Sequence, residues 1–474
     1  MTYEALMIEA GRYAHALRAL GARPGDRIAV QVEKSPEAVF LYLGCLRAGC
    51  VFLPMNPAYQ QGEVEHLLRD AEPRVFVVDP ALLERARAAA QNTSGPGVVT
   101  LGDDGRGDLV DLAAQQPADF PTESREPQDL AAILYTSGTT GKPKGAMLTH
   151  ANLLSNVRVL HEYWQFQPDD VLVHVLPIYH IHGLFVALHC AFWNTSPIWF
   201  ERRFDPARTI DLFARSSVFM GVPTHYVRLL SQSKLSTETC SNMRLFISGS
   251  APLLPDTFRS FSERTGHTIL ERYGMTECGM LVSNPYDGER RCGTVGKPLP
   301  GVSLRIVDAQ GRPVAPGEVG AIEVKGPNVF AGYWRMPGKT AEEHTADGYF
   351  KTGDLGTLSE DGYVSIVGRG KDLIISGGLN VYPKEVEEVI DALPGVVESA
   401  VIGLPDPDFG EAVTAVVVLR PEAREQWNEA ALIATLKQQL AGYKVPKAVH
   451  FVDDLPRNVM GKVQKNVLRA TYGQ

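Results

Sequence analysis

A chain of 474 residues is longer than one hydrophobic core organises, so two or three packed units are expected. Its 44% hydrophobic and 21% charged residues are ordinary for a globular protein, and a formal net charge of -9 without a long basic run argues against general binding to nucleic acid or to an anionic membrane surface. No apolar run is long enough to cross a bilayer, and the six cysteines are scattered without a CxxC pair or zinc spacing, so a cytoplasmic location with reduced thiols is expected.

The N-terminus reads as an amphipathic helix rather than a signal peptide, with Leu6, Ala10, Tyr13, Leu17 and Leu20 on one face. Apolar runs at 28–32, 75–78, 133–135, 171–176, 245–247, 303–307 and 321–324 read as strands. Helical patterns fall between many of them, at 36–48, 62–70, 152–163, 208–215 and 257–265. This alternation predicts an α/β architecture with largely parallel sheets. An Ala/Gly/Asp-rich stretch near 86–108 is expected to contain a surface connection. From about 293 to 368, short strands and Gly/Pro turns suggest a β-rich subdomain. Gly368-Arg369-Gly370-Lys371-Asp372 follows as a hinge candidate, and beyond it a smaller α+β unit carries helix patterns at 384–392 and 430–441 and a strand at 413–419.

The sharpest motif is Tyr135-Thr136-Ser137-Gly138-Thr139-Thr140-Gly141-Lys142-Pro143-Lys144-Gly145, expected between an apolar strand and a helix starting near Thr149. Glycines let the backbone approach an anion, consecutive N–H groups form a nest, hydroxyls add donors and lysines add charge. The segment therefore reads as a triphosphate cradle. It departs from the common P-loop because Pro143 follows Lys142 where that motif has Ser or Thr.

The phosphate string resembles the signature of the adenylate-forming superfamily, and further matches occur in that family's order. Ser248-Gly249-Ser250-Ala251-Pro252 resembles its adenine-binding turn, and Tyr273-Gly274-Met275-Thr276-Glu277 its YGxTE motif. Tyr349-Phe350-Lys351-Thr352-Gly353-Asp354 resembles the ribose motif, 368–372 the interdomain hinge, and Pro456-Arg457-Asn458-Val459-Met460-Gly461-Lys462 the catalytic-lysine loop. Six motifs in order over nearly the whole chain make the resemblance specific. It implies a large N-terminal AMP- and acyl-binding domain at 1–370, built of α/β sheets plus the β-rich subdomain, and a small mobile α+β C-terminal domain at 371–474. ATP, Mg²⁺ and coenzyme A are the implied small-molecule partners. Thr136, Ser137, Gly138, Thr139, Thr140, Gly141 and Lys144 would contact phosphate. Gly249, Ser250, Ala251, Tyr273, Gly274, Asp354 and Arg369 would complete the nucleotide site. Lys462, Thr276 and Glu277 would be catalytic, with Glu277 also the metal ligand. Lys371 would be the hinge, and Gly377 and Gly378 would line the coenzyme A tunnel.

Within the superfamily the chain is similar to the malonyl-CoA synthetases, on strings such as Leu176-Pro177-Ile178-Tyr179-His180-Ile181-His182-Gly183 and Ser283-Asn284-Pro285-Tyr286-Asp287-Gly288. A dicarboxylic acid substrate then needs a partner for its distal carboxylate, because an unpaired buried carboxylate is costly. His182, Arg244, Arg290 and Arg291 are the expected partners. Methylmalonate, another short-chain acid, an aromatic acid and a carrier protein are the alternative acyl partners. Light-emitting oxidation of luciferase type and a non-catalytic AMP-binding module are the competing classes. Acetylation of Lys462 by an acetyltransferase would remove the charge that catalysis needs.

Overall fold

The computed structural model describes residues 1–93, 95–136, 143–376, 379–406, 409–458 and 461–473. Four sheets organise them. The first has the strand order Gly97–Thr100, Val75–Val78, Arg27–Gln31, Val51–Pro54, Leu130–Thr136, Lys144–Thr149, and every pair is parallel except the last. The second runs Lys297–Pro298, Gly279–Ser283, Leu270–Met275, Leu245–Ser248, Val218–Gly221, Leu172–His174, Ile198–Phe200. Its strands from Leu270–Met275 onward are parallel, and Gly279–Ser283 folds back antiparallel. Their continuous Val, Ile, Leu and Phe runs suit sheets covered on both faces by helices.

Local chemistry sets the helix limits. Ser35 accepts from the Ala38 N–H to cap Pro36–Arg47, with Pro36 at its first turn. Thr149 and Asn152 form a reciprocal cap on His150–Tyr163. A continuous apolar core joins the first two sheets and their shared helices, with Tyr13, Tyr42, Leu160 and Trp164 fully buried in it.

The third sheet is fully antiparallel, Ser303–Val307, Gly320–Lys325, Phe350–Leu358, Val364–Arg369. It is the expected β-rich part. After Arg369 a single 3₁₀ turn, Gly370–Asp372, leads into the fourth sheet. There Gly410–Leu419 pairs with Val396–Asp406, Ile374–Ser376 and Ala448–Val452, and Leu379–Val381 completes five strands. This sheet has separate apolar clusters on its two faces.

The helix expected near Thr149 starts at His150, with Thr149 as its cap, and a strand that the sequence reading did not anticipate precedes it. That strand, Lys144–Thr149, returns antiparallel to Leu130–Thr136, pairing Thr136 with Lys144. The stretch near 86–108 contains surface connections on either side of the edge strand Gly97–Thr100, after the end of helix Leu83–Gln91. Among the described residues no helix is long and apolar enough to cross a membrane.

Candidate active site

The functional side chains gather where parallel strands end, as expected for ligands in open α/β sheets. Strand Leu130–Thr136 delivers Thr136, Leu245–Ser248 runs into Gly249, Ser250 and Ala251, and Leu270–Met275 carries Tyr273 and Gly274 and leads to Thr276 and Glu277. The antiparallel third sheet brings Asp354 opposite Arg369.

At the nucleotide end these groups are already joined. The Tyr273 hydroxyl donates to Asp354, and Arg369 Nε lies 2.8 Å from the other Asp354 oxygen. Arg369 also donates to the Thr352 carbonyl at 3.0 Å. Glu277 is 6% exposed and accepts on Oε1 from Thr136 at 3.3 Å and Tyr333 at 3.1 Å. Burial raises its carboxyl above the ordinary value, with the Tyr333 bond opposing. Lys144, also buried, lies 3.4 Å from Glu343 and 4.2 Å above the Tyr333 ring. Among the described residues no set of three His, Cys, Asp or Glu side chains gathers around a common point. Magnesium held by one carboxylate and by phosphate oxygens fits this donor set, whereas an all-protein metal cage does not. Ser137, Gly138, Thr139, Thr140 and Gly141 lie outside the described residues, as do Gly377 and Gly378.

The candidate acyl end is built differently. His182 opens the π-helical turn His182–Leu188, the kind of helix irregularity common at functional sites. The turn is fixed from behind. Lys34 Nζ lies 2.7 Å from His174 Nδ1, and His174 Nε2 lies 2.9 Å from the Gly183 carbonyl. A methyl group on Gly183 would stand 2.0 Å from the Pro177 carbonyl oxygen, so only glycine fits. His182 shares a 3.2 Å hydrogen bond with Ser250, while its Nε2 has no partner among the described residues. Burial first and Arg272 second hold this imidazole well below its ordinary pKa, so it is neutral.

Arg272 is a further candidate that no motif singled out. It is 3% exposed, and neither Nε nor Nη2 has a hydrogen-bond partner among the described residues. Burial lowers it to about 9, still cationic at neutral pH. It fits beside the adenine turn because position 249 is glycine: a Cβ there would stand 2.5 Å from the guanidinium carbon. The available signal was a charged Glu-Arg pair, Glu271 and Arg272, inside an otherwise apolar strand, where buried charge needs a partner or a task.

Three of the expected carboxylate partners, Arg244, Arg290 and Arg291, are engaged by other groups of the protein in this structure. Arg244 forms a two-pronged ion pair with Asp170, one bond at 2.7 Å, and its remaining amino group reaches the Trp164 carbonyl at 3.4 Å. Arg290 is spent on the Thr268 carbonyl at 2.7 Å and the Tyr286 carbonyl at 3.2 Å. Arg291 lies over the Tyr363 ring and pairs with Asp361 at 2.7 Å and Glu289 at 2.9 Å. Each guanidinium is consumed by the fold.

The C-terminal unit is docked over this cleft. Lys384 Nζ donates to the Ile366 carbonyl at 2.6 Å, and a methyl on Gly461 would stand 3.1 Å from Thr224 Oγ1. Lys462 remains solvent-accessible. Its pKa is lowered by loss of water in the cleft and by Arg369, with Asp354 opposing. Arg457 pairs with Glu398 and donates to the Gly461 carbonyl at 2.6 Å, while Lys465 pairs with Glu387 at 2.5 Å. Lys371 sits in the 3₁₀ turn between the third and fourth sheets, next to Asp372, which is tied to Arg469 at 2.8 Å.

Comparison with known proteins places the chain in a family. The family model for AMP-binding enzymes matches residues 1–334, and that for the AMP-binding enzyme C-terminal domain matches residues 385–462. A feruloyl-CoA synthase of an Amycolatopsis species is 37% identical, covering 100% of this chain and 94% of the relative. A malonate–CoA ligase of Arabidopsis thaliana is 36% identical, covering 97% and 80%. The crystal structure of ATP-bound MatB from Rhodopseudomonas palustris superimposes with a TM-score of 0.97 at 57% identity, covering 99% of this chain and 93% of that one. The chain belongs to the AMP-binding enzyme family.

Proposed function

We propose that this chain converts malonate, ATP and coenzyme A into malonyl-CoA, AMP and pyrophosphate through a malonyl-adenylate. At the coarser level it is an AMP-forming acid–CoA ligase, with CoA-ligase relatives along its whole length. The observation that carries malonate is the buried Arg272 with two unpartnered nitrogens beside the neutral His182. A distal carboxylate supplies the two acceptor oxygens that a guanidinium fork matches. An aromatic acid such as ferulate would leave this charge buried and unpaired, at a cost of several kcal/mol.

In the first half-reaction a malonate carboxylate oxygen attacks the α-phosphorus of ATP, the bond to the bridging oxygen breaks, and pyrophosphate leaves. Thr136, Lys144 and the intervening Ser137, Gly138, Thr139, Thr140 and Gly141 hold the phosphates. Glu277 would hold Mg²⁺, which neutralises phosphate charge when bound. Asp354, oriented by Tyr273 and Arg369, accepts the ribose hydroxyls, and Gly249, Ser250, Ala251 and Gly274 flank the adenine. Thr276 lies beside the reacting carboxylate, and Lys462 stabilises the charge shared between it and the α-phosphate. Catalysis is then mainly positioning and charge stabilisation. In the second half-reaction the coenzyme A sulfur attacks the adenylate carbonyl carbon, its proton passes to solvent, and AMP leaves. We assign the reorientation between the two steps to Lys371, at a boundary between 1–370 and 371–474, and the coenzyme A tunnel to Gly377 and Gly378. We also assign a cytoplasmic location, supported by six free cysteines, and regulation by acetylation of Lys462.

Coenzyme A-dependent AMP release tests the acid. Malonate should exceed methylmalonate, succinate, acetate, butyrate and ferulate in kcat/KM. A preference for butyrate or ferulate over malonate overturns the malonate reading and leaves the ligase class standing.

A further inference from the structure

Tyr333 belongs to none of the motifs that define the site, yet it touches two of its charges. The extended segment that carries it runs beside strand Lys144–Thr149: Ala331 N–H donates to the Met147 carbonyl at 3.0 Å and Trp334 N–H to the Gly145 carbonyl at 2.8 Å. Tyr333 N–H donates to Thr340 Oγ1 at 2.9 Å, and the edge of Phe330 packs on the ring at 4.9 Å. The side chain, 3% exposed, is thus held from its backbone outward. Its hydroxyl donates to Glu277 at 3.1 Å, and its ring face lies 4.2 Å from the Lys144 ammonium.

A buried tyrosine hydroxyl needs one acceptor, and a backbone carbonyl would serve. Here the acceptor is a buried carboxylate, and the same ring carries a buried ammonium on its electron-rich face. One rigid side chain therefore spans two opposite charges from different elements. Glu343, 3.4 Å from Lys144, supplies the ammonium with its ion-pair partner, and Lys339 lies 3.0 Å from the same Glu343 oxygen. The ring has no freedom to follow either charge independently.

We propose that Tyr333 is a positioning residue that fixes Glu277 and Lys144 relative to one another, the hydroxyl setting the carboxylate and the ring setting the ammonium. This rests on the reading of Glu277 and Lys144 as the groups that meet the divalent cation and the triphosphate. Tyr333→Phe removes only the hydroxyl bond, whereas Tyr333→Leu also removes the ring face.

The test is calorimetric titration with ATP, without acid or coenzyme A, in excess magnesium and again in EDTA. Tyr333→Phe should weaken binding in magnesium by roughly tenfold, the size expected for losing a hydrogen bond to a charged group, and leave binding in EDTA unchanged. Tyr333→Leu should weaken binding in both. The KM for the acid should stay at the wild-type value in each variant, which a general loosening of the fold would not allow. Tyr333→Phe binding ATP like wild type in magnesium, or losing the same factor in magnesium and in EDTA, overturns the proposal. If Tyr333→Leu does not fold, the Tyr333→Phe comparison decides alone. Glu277→Gln is the control for the underlying reading: its failure to change magnesium-dependent binding sinks the assignment of Glu277 itself, whereas a loss there without one in Tyr333→Phe sinks only the role of Tyr333.

Discussion

The two ends of the candidate active site keep their polar groups in opposite ways. At the nucleotide end Tyr273, Asp354 and Arg369 bond to one another, as do Thr136, Glu277 and Tyr333. At the acyl end Arg272 Nε and Nη2 and His182 Nε2 are buried without partners among the described residues. Unsatisfied buried polar atoms are rare because each costs free energy. A pre-paired set holds its own geometry and gives a charged ligand ready-made positions. An unpaired set is stabilised by what it binds, so it makes affinity depend on the ligand's chemistry. The first arrangement suits a nucleotide common to a whole family, and the second suits selection among acids.

Removing the charge proposed to serve only the first half-reaction should sharpen this contrast most. Lys462→Ala should lower acid-dependent ATP–pyrophosphate exchange by about 10²–10³-fold, comparable to losing one transition-state donor. Thioester formation from preformed malonyl-adenylate should be largely kept. Equal damage to both partial reactions would show that Lys462 supports the fold or the second step instead.

A smaller effect is expected where an arginine is already paired. Arg244→Met strands Asp170, which is 1% exposed, and should cost roughly 3–5 kcal/mol of stability in urea denaturation. The ratio of malonate to butyrate turnover should not move. A change in that ratio with unaltered stability would return Arg244 to the acyl site.

The smallest effect concerns Glu271, which accepts from the Leu253 N–H at 3.3 Å below the adenine turn. Burial raises its carboxyl from the ordinary 4.5 to about 7, with Lys384 opposing. Between those values the folded chain holds a proton that the unfolded chain releases. This contribution to stability is present below about pH 4.5, falls as pH rises, and is gone above about pH 7. Glu271→Gln should match the wild-type melting temperature most closely near pH 5 and exceed it by a few degrees at pH 8. A constant offset at both pH values would mean that Glu271 does not titrate in this window.

The same contrast explains what the sequence made legible. Strands such as Val75–Val78 and Ser303–Val307 were readable to the residue, because short β-branched runs bounded by turn residues have few alternatives. Candidates for a nucleotide site could be named from the sequence because they sit in contiguous motifs. Arg272 stands one position before Tyr273, and strand alternation sends neighbouring side chains to opposite faces, so its task differs from that of the motif beside it. Arg244 and Arg290 attracted attention by nearness in sequence to the site. Whether a guanidinium is free is decided by partners such as Asp170 and the Thr268 carbonyl, 74 and 22 positions away. The return strand Lys144–Thr149 was hidden for a related reason, since only its pairing with Leu130–Thr136 distinguishes it from the start of a helix.

The account stands on Arg272 reading the distal carboxylate, and one comparison reaches that directly: kcat/KM of wild type and Arg272→Met for malonate and for butyrate. With malonate the variant should lose about 10²–10³-fold, the cost of leaving a buried carboxylate unpaired. With butyrate it should hold or gain, so that the preference inverts while ATP binding is unchanged. Wild-type turnover of malonate by Arg272→Met, or an equal loss for both acids, would contradict the account.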